Sequence, residues 1–428
     1  MIEKKLSINE RYFYVSVIVV IGAIFFFMRS WDPYLSGDSL KHAAVAKGLL
    51  FGDNWFNLYL AGEPYLKKPP LYFWLIAFSY KIFGISAFAA RFFPALFAIF
   101  DGIMVFYLSK TVFDDDRDAF LASMFFIVNF HVIRLSSIVR MESIVTFFIL
   151  LNLYLLIKGR YILSGVPLGL GILTKGPIGL IGISVFVIWK LLKRDFSFLS
   201  IRFFIGIILA FVMAFPWYAY QFFENKAFYK EFVGNQILAR ITGTLSEGDK
   251  RDYLFYFGRL LSRFWPGLPF FILGLVYYFK DGVYKKELWY LFGVYIFFVF
   301  VLINVPHEKF TRYLYYLYPI AAIFCVIGLK RLNIDKYAVE FFLVVGVLFL
   351  IGGIVYKKPF HHPFREGFSP SVYESYCKKV KSIGNVRMVN LGDLQRAYFY
   401  FYCIDKPYLK PRFDLILRNN TLMIKSIH

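Results

Sequence analysis

A chain of 428 residues that is 59% hydrophobic and 22% aromatic, with 18% charged residues and a mean hydropathy of +0.58, is too apolar for a water-soluble domain. Its repeated apolar runs mark a polytopic helical membrane protein. The formal net charge of +21 would point to nucleic acid in a soluble chain. No nucleic-acid motif or base-reading basic helix is present, so no such partner is expected, and the excess points to anionic head groups and phosphate-bearing substrates beside the lipid bilayer.

Residues 1–11 (MIEKKLSINER) are polar and basic, and the run from Tyr12 to Met28 is about one bilayer thick. No small-residue cleavage signature follows it, so an uncleaved first helix with a cytoplasmic N-terminus is expected. The loop 29–86 then lies outside. It carries Asp38, Lys41, Lys47, Asp53, Glu63, Lys67 and Lys68 among aromatics, and such charges are cheap at a membrane only in water or beside partners. SLKHAAVAKGLLF reads as a short helix with Asp38 near its start and Lys41 one turn on. LYFWLIAFSYKIF (71–83), after Pro69-Pro70, is a second amphipathic piece, short for a span. Both suit helices lying in the interface plane.

Further spans are expected near 87–109, 119–135, 143–157, 162–174, 177–192, 203–220, 264–279, 286–303, 313–329 and 337–356, which with the first makes 11. KGR (158–160), KLLKR (190–194), the lysines at 280–286 and Lys330-Arg331 mark cytoplasmic turns, although the 113–118 turn is FDDDRD and the opposite loops are basic too. Outer cations demand a reason, and phosphate binding is one. The loop 221–263 is dense in charge, including Glu224, Arg240, Glu247, Asp249, Lys250, Arg251 and Arg259, which suits a polar cap over a membrane site or a solvated connector.

The odd span count puts residues 357–428 on the same side as Asp38. After a turn-rich linker come SVYESYCKKVKSIG as a helix, VRMVNLG as a strand and DLQRAYFYFYC as a helix, a small α/β module whose 13 Lys and Arg against 5 Asp and Glu leave +8. The expected domains are therefore 1–356, in the membrane, with loops 29–86 and 221–263 forming its site, and 357–428, extracytoplasmic. Cys325 lies inside an apolar run as a small core residue. Cys377 and Cys403 share the outer tail, where a disulfide is chemically permitted.

Taken together, GDSLKHAAVAKGLLFGDNW (37–55), GEPYLKKPPLYFW (62–74), AARFFPALFA (89–98), RMESIVTFF (140–148), GLGILTKGPIGL (169–180), FPWYAY (215–220), RFWPGLPF (263–270) and KFTRYLYYLYP (309–319) resemble the polyprenyl-phosphate-sugar-dependent glycosyltransferases of the GT-C fold, a group that includes protein O-mannosyltransferases and bacterial lipid A aminoarabinose transferases. The resemblance implies an all-α membrane fold, an inner-membrane location, and a sugar donor on a polyprenol such as undecaprenol joined by one phosphate. The sugar passes on the outer side to a glycolipid such as lipid A, or to a protein, usually with inversion. A monomer is expected.

The resemblance assigns site residues one by one. Asp38 matches the acidic residue after the first span and is the expected base; read alone, it is equally a helix N-cap. Lys41 falls where relatives carry Arg or Lys, and Lys68 matches the cation ahead of the proline. Lys175, between the apolar runs GILT and GPIGL, is expensive at membrane depth unless it reaches water or an anion. It reads as a snorkelling residue or, from the TKGP match, as a phosphate ligand. Arg240 matches an arginine of the long loop. Glu142 in RMES stands where the group favours an acid, to assist the base or acceptor, or to answer a helix dipole. Lys309 and Arg312 are placed to contact phosphate or acceptor, whereas the aromatic YLYYLYP reads as packing.

Several positions depart from the group. Ser39 stands where a second acid often follows, Lys67 where the aminoarabinose transferases have a carboxylate, and Gln236 and Ile237 where some relatives have an acid and a histidine. Neither Asp38 with His42 nor His307-Glu308 completes a four-ligand set, so no metal or other cofactor is expected. The rival readings are a transporter or flippase of an anionic polyprenyl-linked lipid, which would show inverted repeats that are absent here, and a pyrophosphate-donor oligosaccharyltransferase, which would need the missing acidic pair.

Overall fold

Wherever an apolar run is bounded by polar turns, the chain forms a helix. The computed structural model describes residues 2–28, 30, 32–52, 54–244, 254–355, 376–381, 386–389, 391–404, 413–418 and 421–426. Asp53, the charges from Glu247 to Arg251 and the linker 357–375 lie outside the described residues. Contacts divide the chain into two compact units: Met1–Arg29 with Pro94–Lys357, and Ser30–Phe93 with Lys358–His428. The expected boundary at residue 356 thus falls at a crossing between units, while the first loop groups with the tail.

The first unit is a bundle of helices. Five are long and apolar enough to cross a membrane, or up to seven if each bent pair is one span. Several of the eleven expected spans are shorter than a bilayer, among them Glu142–Ile157 with 16 residues and Leu268–Lys280 with 13. One expected span is broken, and another starts at a sharp bend that follows a helix in the expected loop 221–263. The run expected at 119–135 bends by 66° between Asp116–Ile127 and Phe130–Ser136. There Asn129 caps the second piece, its Oδ1 accepting from the His131 and Val132 amides at 2.9 and 3.0 Å. The other bend, of 118°, separates Phe255–Arg263 from Leu268–Lys280 at Pro266, which cannot donate to a continuing helix.

Tyr161–Leu192 is helical throughout yet doubles back. Gly176 has a φ of +60°, and a Cβ on Gly179 would lie 2.3 Å from the Gly171 carbonyl carbon. Asn152 reads both arms: its Nδ2 donates to the Ser164 carbonyl at 2.9 Å, and its Oδ1 would lie 2.7 Å from a Cβ on Gly182. Each arm is its own segment, as the separate runs 162–174 and 177–192 predict.

Ion pairs gather the expected cytoplasmic turns at one end of this unit. Asp116 takes Lys110 at 2.9 Å and Arg11 at 3.4 Å, Asp118 takes Lys330 at 2.7 Å, and Glu287 takes Lys193 at 2.8 Å. Asp115 caps its helix through the Arg117 amide. The acidic 113–118 turn is therefore a structural junction.

The second unit holds the helices Gly37–Leu49 and Leu71–Phe83, joined through a two-stranded antiparallel ribbon, Tyr59–Leu60 with Glu63–Pro64. Tyr80 Oη donates to the Ala43 carbonyl at 3.1 Å and packs one helix on the other. Only Leu71–Phe83 keeps an exposed apolar edge, at Phe78, Ile82 and Phe83. Gly37–Leu49 is buried along ten of its 13 residues, so it is a core helix of this unit, contrary to the expected interfacial placement.

The tail supplies the helical turn 376–381, the helix Asp393–Tyr398 running into a wider turn to Cys403, and a three-stranded sheet. Val386–Val389 pairs in parallel with Phe413–Arg418, and that strand pairs antiparallel with Thr421–Ser426. The last two strands, unassigned from sequence, make the module α/β. Cys377 and Cys403 are bridged, with Cα atoms 5.0 Å apart, and Cys325 is a buried free thiol. Lys47 is 3% exposed, and its ammonium donates to the carbonyls of Tyr400, Phe401 and Ile404 at 2.9, 3.1 and 2.6 Å. It thereby caps the C-terminal end of the tail helix, where orphan carbonyls collect.

Candidate functional site

In the first unit a buried carboxylate stands among cations. Glu142 opens the helix Glu142–Ile157 and Lys175 closes the helix Tyr161–Lys175, so each charge sits at the helix end whose dipole favours it. The Lys175 ammonium is 2.7 Å from Glu142 Oε1, with side chains 9% and 2% exposed. Arg312 Nε lies 3.6 Å from the same oxygen, and Arg140 adds its field from two residues upstream. Glu142 Oε2 has no hydrogen-bond partner among the described residues. Glu142 thus stands beside Lys175 and Arg312 and within the field of Arg140.

Its aromatic roof follows from local geometry. Thr311–Tyr316 is a 3-10 turn, with three residues per turn, so positions i and i+3 eclipse. Tyr313 and Tyr316 share a face, and Lys175 Nζ lies 5.4 Å from each ring centroid, within cation–π range. Arg312 stacks over Phe310 at 4.0 Å. Arg240 joins this group from the long loop: Nη1 reaches Tyr313 Oη at 3.4 Å, and Nε is 3.5 Å from Glu308 Oε2. The His307 amide donates to the Arg240 carbonyl at 3.0 Å, pinning the loop there. The Lys309 ammonium donates to the Asn304 carbonyl at 2.8 Å beside the Tyr256 ring.

In the second unit, Asp38 is the second residue of Gly37–Leu49 and half-buried, and Ser36 holds the cap position. The capping alternative for Asp38 is thus removed. Lys41 is half-buried one turn on, and Lys68 is half-buried just before Pro69. Lys67 is a surface cation 3.7 Å from Asp393. His42 is buried edge-on to Tyr72 and Phe73, with Nδ1 3.4 Å from Tyr72 Oη.

Residues 67–220 match the dolichyl-phosphate-mannose-protein mannosyltransferase family. An uncharacterized protein of Aquifex aeolicus is 25% identical over 332 residues, 76% of this chain and 65% of its own length. The undecaprenyl phosphate-alpha-4-amino-4-deoxy-L-arabinose arabinosyl transferase 2 of Pseudomonas fluorescens is 21% identical over 253 residues, 56% of this chain and 45% of its own. This chain thus spans less than two thirds of either relative. The crystal structure of ArnT from Cupriavidus metallidurans bound to undecaprenyl phosphate superposes with a TM-score of 0.69 at 16% identity, covering 96% of this chain and 86% of that one. The chain has the GT-C glycosyltransferase fold.

Within the GT-C helices of the first unit, the expected residues Glu142, Lys175, Arg240 and Arg312 meet, although they are up to 170 positions apart in sequence. Sequence reasoning passed over Tyr313 and Tyr316, because YLYYLYP reads as a packing stripe. Their 3-10 spacing three residues apart is a signal visible only once the turn type is known. Among the described residues no group of three or more His, Cys, Asp or Glu is gathered as a metal would need.

Proposed function

We propose that this chain is an integral membrane glycosyltransferase. It moves a sugar from a polyprenyl-monophosphate donor to a hydroxyl or phosphate of an acceptor, a glycolipid such as lipid A or a protein, on the outer face of the inner membrane. The observation that carries the proposal is the grouping of Lys175, Arg312 and the nearby Arg240 about the buried Glu142, beside aromatic rings, in a GT-C fold. The Cys377–Cys403 bridge supports an extracytoplasmic tail, since such bonds persist in oxidising compartments.

The chemistry follows from charge. The acceptor oxygen attacks the anomeric carbon from the face opposite the phosphate, the carbon–oxygen bond to phosphate breaks with its electrons passing to the phosphate, and the acceptor proton passes to Asp38. Configuration inverts. The lipid phosphate goes from one negative charge in the donor to two as it leaves. Cations therefore stabilise the transition state more than the bound donor, which is the differential that lowers a barrier. Lys175, Arg240 and Arg312 are the candidates for that phosphate within the first unit; Lys41 and Lys68, in the second, are candidates from the family resemblance alone. Glu142 keeps the first group charged while buried.

Mass spectrometry of the lipid that co-purifies with the protein tests this. Polyprenyl monophosphate or its sugar ester is expected with the wild type and depleted in a Lys68→Ala, Lys175→Ala variant. A different anionic lipid, or retention that ignores both lysines, would overturn the assignment.

A further inference from the structure

Asp101 is a buried carboxyl that the proposed chemistry leaves unused. It lies within the apolar helix Ala87–Ser109 and is 0% exposed, a position where an acid is expensive and so tied to a specific partner. That partner is Tyr315, whose Oη donates to Asp101 Oδ2 at 3.0 Å. Ser136 Oγ lies 3.2 Å from the same Tyr315 oxygen. With the tyrosine proton directed at Asp101, the serine donates, and a chain Ser136, Tyr315, Asp101 results. Asp101 Oδ1 has no hydrogen-bond partner among the described residues.

Tyr315 belongs to the turn that builds the site. Six residues of 3-10 helix have weak internal hydrogen bonding, so the rotation of Thr311–Tyr316 about its axis is set from outside. Tyr256 Oη holds the entry by accepting from the Phe310 amide at 3.0 Å and donating to its carbonyl at 3.2 Å. Tyr295 Oη holds the exit through the Tyr316 carbonyl at 2.9 Å. Those bonds reach only backbone at the two ends. Arg312 and Tyr313 are held by Glu142 and Arg240, members of the cluster itself, whereas Tyr315 is held from outside the cluster by the 3.0 Å bond to Asp101. One residue of slip in such a turn is a rotation of about 120°, enough to take Tyr313 and Tyr316 off Lys175 and Arg312 off Glu142.

We propose that Asp101 is a positioning residue for the phosphate-binding cations. By accepting from Tyr315 it sets the rotation of the Thr311–Tyr316 turn, and through it the placement of Arg312, Tyr313 and Tyr316 about Lys175 and Glu142. The bond needs an acceptor, not a charge. The inference rests on the phosphate-site reading only for its consequence in donor binding; the positioning itself is independent of it.

The full-length protein in detergent is compared as wild type, Asp101→Leu, Asp101→Asn and Tyr315→Phe. Acetylation of Lys175 by acetic anhydride, quantified by peptide mass spectrometry, reports the roof directly. Its rate should rise fivefold or more in Asp101→Leu and Tyr315→Phe and less than twofold in Asp101→Asn. Wild-type rates in folded Tyr315→Phe, or an Asn variant that labels like Leu, would overturn the proposal. If Asp101→Leu does not fold, Tyr315→Phe, which loses only a hydroxyl, decides. Undecaprenyl phosphate binding by native mass spectrometry is read in parallel and should weaken at least fivefold in the same two variants. Labelling that follows the expected pattern while wild type ignores this lipid would keep the positioning role and refute the phosphate site.

Discussion

Replacing Lys175 by methionine and, separately, both Lys175 and Glu142 by neutral groups separates the two jobs that a buried lysine can do. At an effective dielectric constant of about 20, unit charges 2.7 and 3.6 Å from Glu142 attract it by about 6 and about 5 kcal/mol before desolvation is counted. Desolvation offsets much of this, and removing one member of a buried pair costs about 3–5 kcal/mol because the other charge is stranded. Lys175→Met should therefore destabilise the protein by about that amount. Glu142→Gln with Lys175→Met should recover most of it, since a neutral pair of similar volume is often as stable as a buried ion pair, and Arg312, 19% exposed in its side chain, can turn toward water. Phosphate binding should not recover. One charge-assisted contact is worth about 1.5–3 kcal/mol, so both variants should hold undecaprenyl phosphate roughly 10- to 150-fold more weakly. Scanning fluorimetry gives the stabilities and native mass spectrometry the binding. If the double variant binds the lipid within twofold of wild type, Lys175 serves only to neutralise Glu142, and its place in the donor site is refuted.

Asp38→Asn should lower sugar transfer by roughly 100- to 10,000-fold, the usual weight of a general base, while leaving lipid co-purification intact; full turnover in a radiolabelled-sugar assay would remove it as the base. Lys68→Ala should weaken lipid binding about tenfold, whereas Lys67→Ala, an exposed cation beside Asp393, should change it less than twofold; equal effects would mean that general surface charge is being read. Lys47→Met strands three carbonyls at the end of the tail helix and should cost at least about 2 kcal/mol, seen as faster proteolysis of the tail. Thiol alkylation should label Cys377 and Cys403 only after reduction, and replacing both by serine should cost about 2–4 kcal/mol; two alkylated tail cysteines in unreduced protein would contradict the bridge.

What could be read from sequence follows the range of the forces involved. Apolar runs set the helices to within a few residues where packing did not interfere, as at Ala87–Ser109 and Leu71–Phe83. The break made by a single residue, Asn129, was overrun by hydropathy, which averages over a window wider than a cap, whereas the helix Phe255–Arg263 fell in a stretch read as loop. The amphipathic reading of Gly37–Leu49 failed for a related reason. Its small residues and one buried lysine look half-polar, yet the tail covers them, with Lys47 satisfied by carbonyls from some 350 residues away.

The sequence by itself determined the class of molecule, a polytopic helical membrane protein. Membrane helices follow from apolar length, and the proposal of phosphate handling starts from cations placed where a bilayer makes them costly. Only the tertiary structure decided which of those residues lie side by side. Glu142, Lys175, Arg240 and Arg312 converge, Lys309 donates to the Asn304 carbonyl and Lys47 becomes a cap. The physical reason is that an ion pair of a few ångströms depends on where helix ends meet and how a short turn is rotated, and neither is encoded in the spacing of residues along the chain.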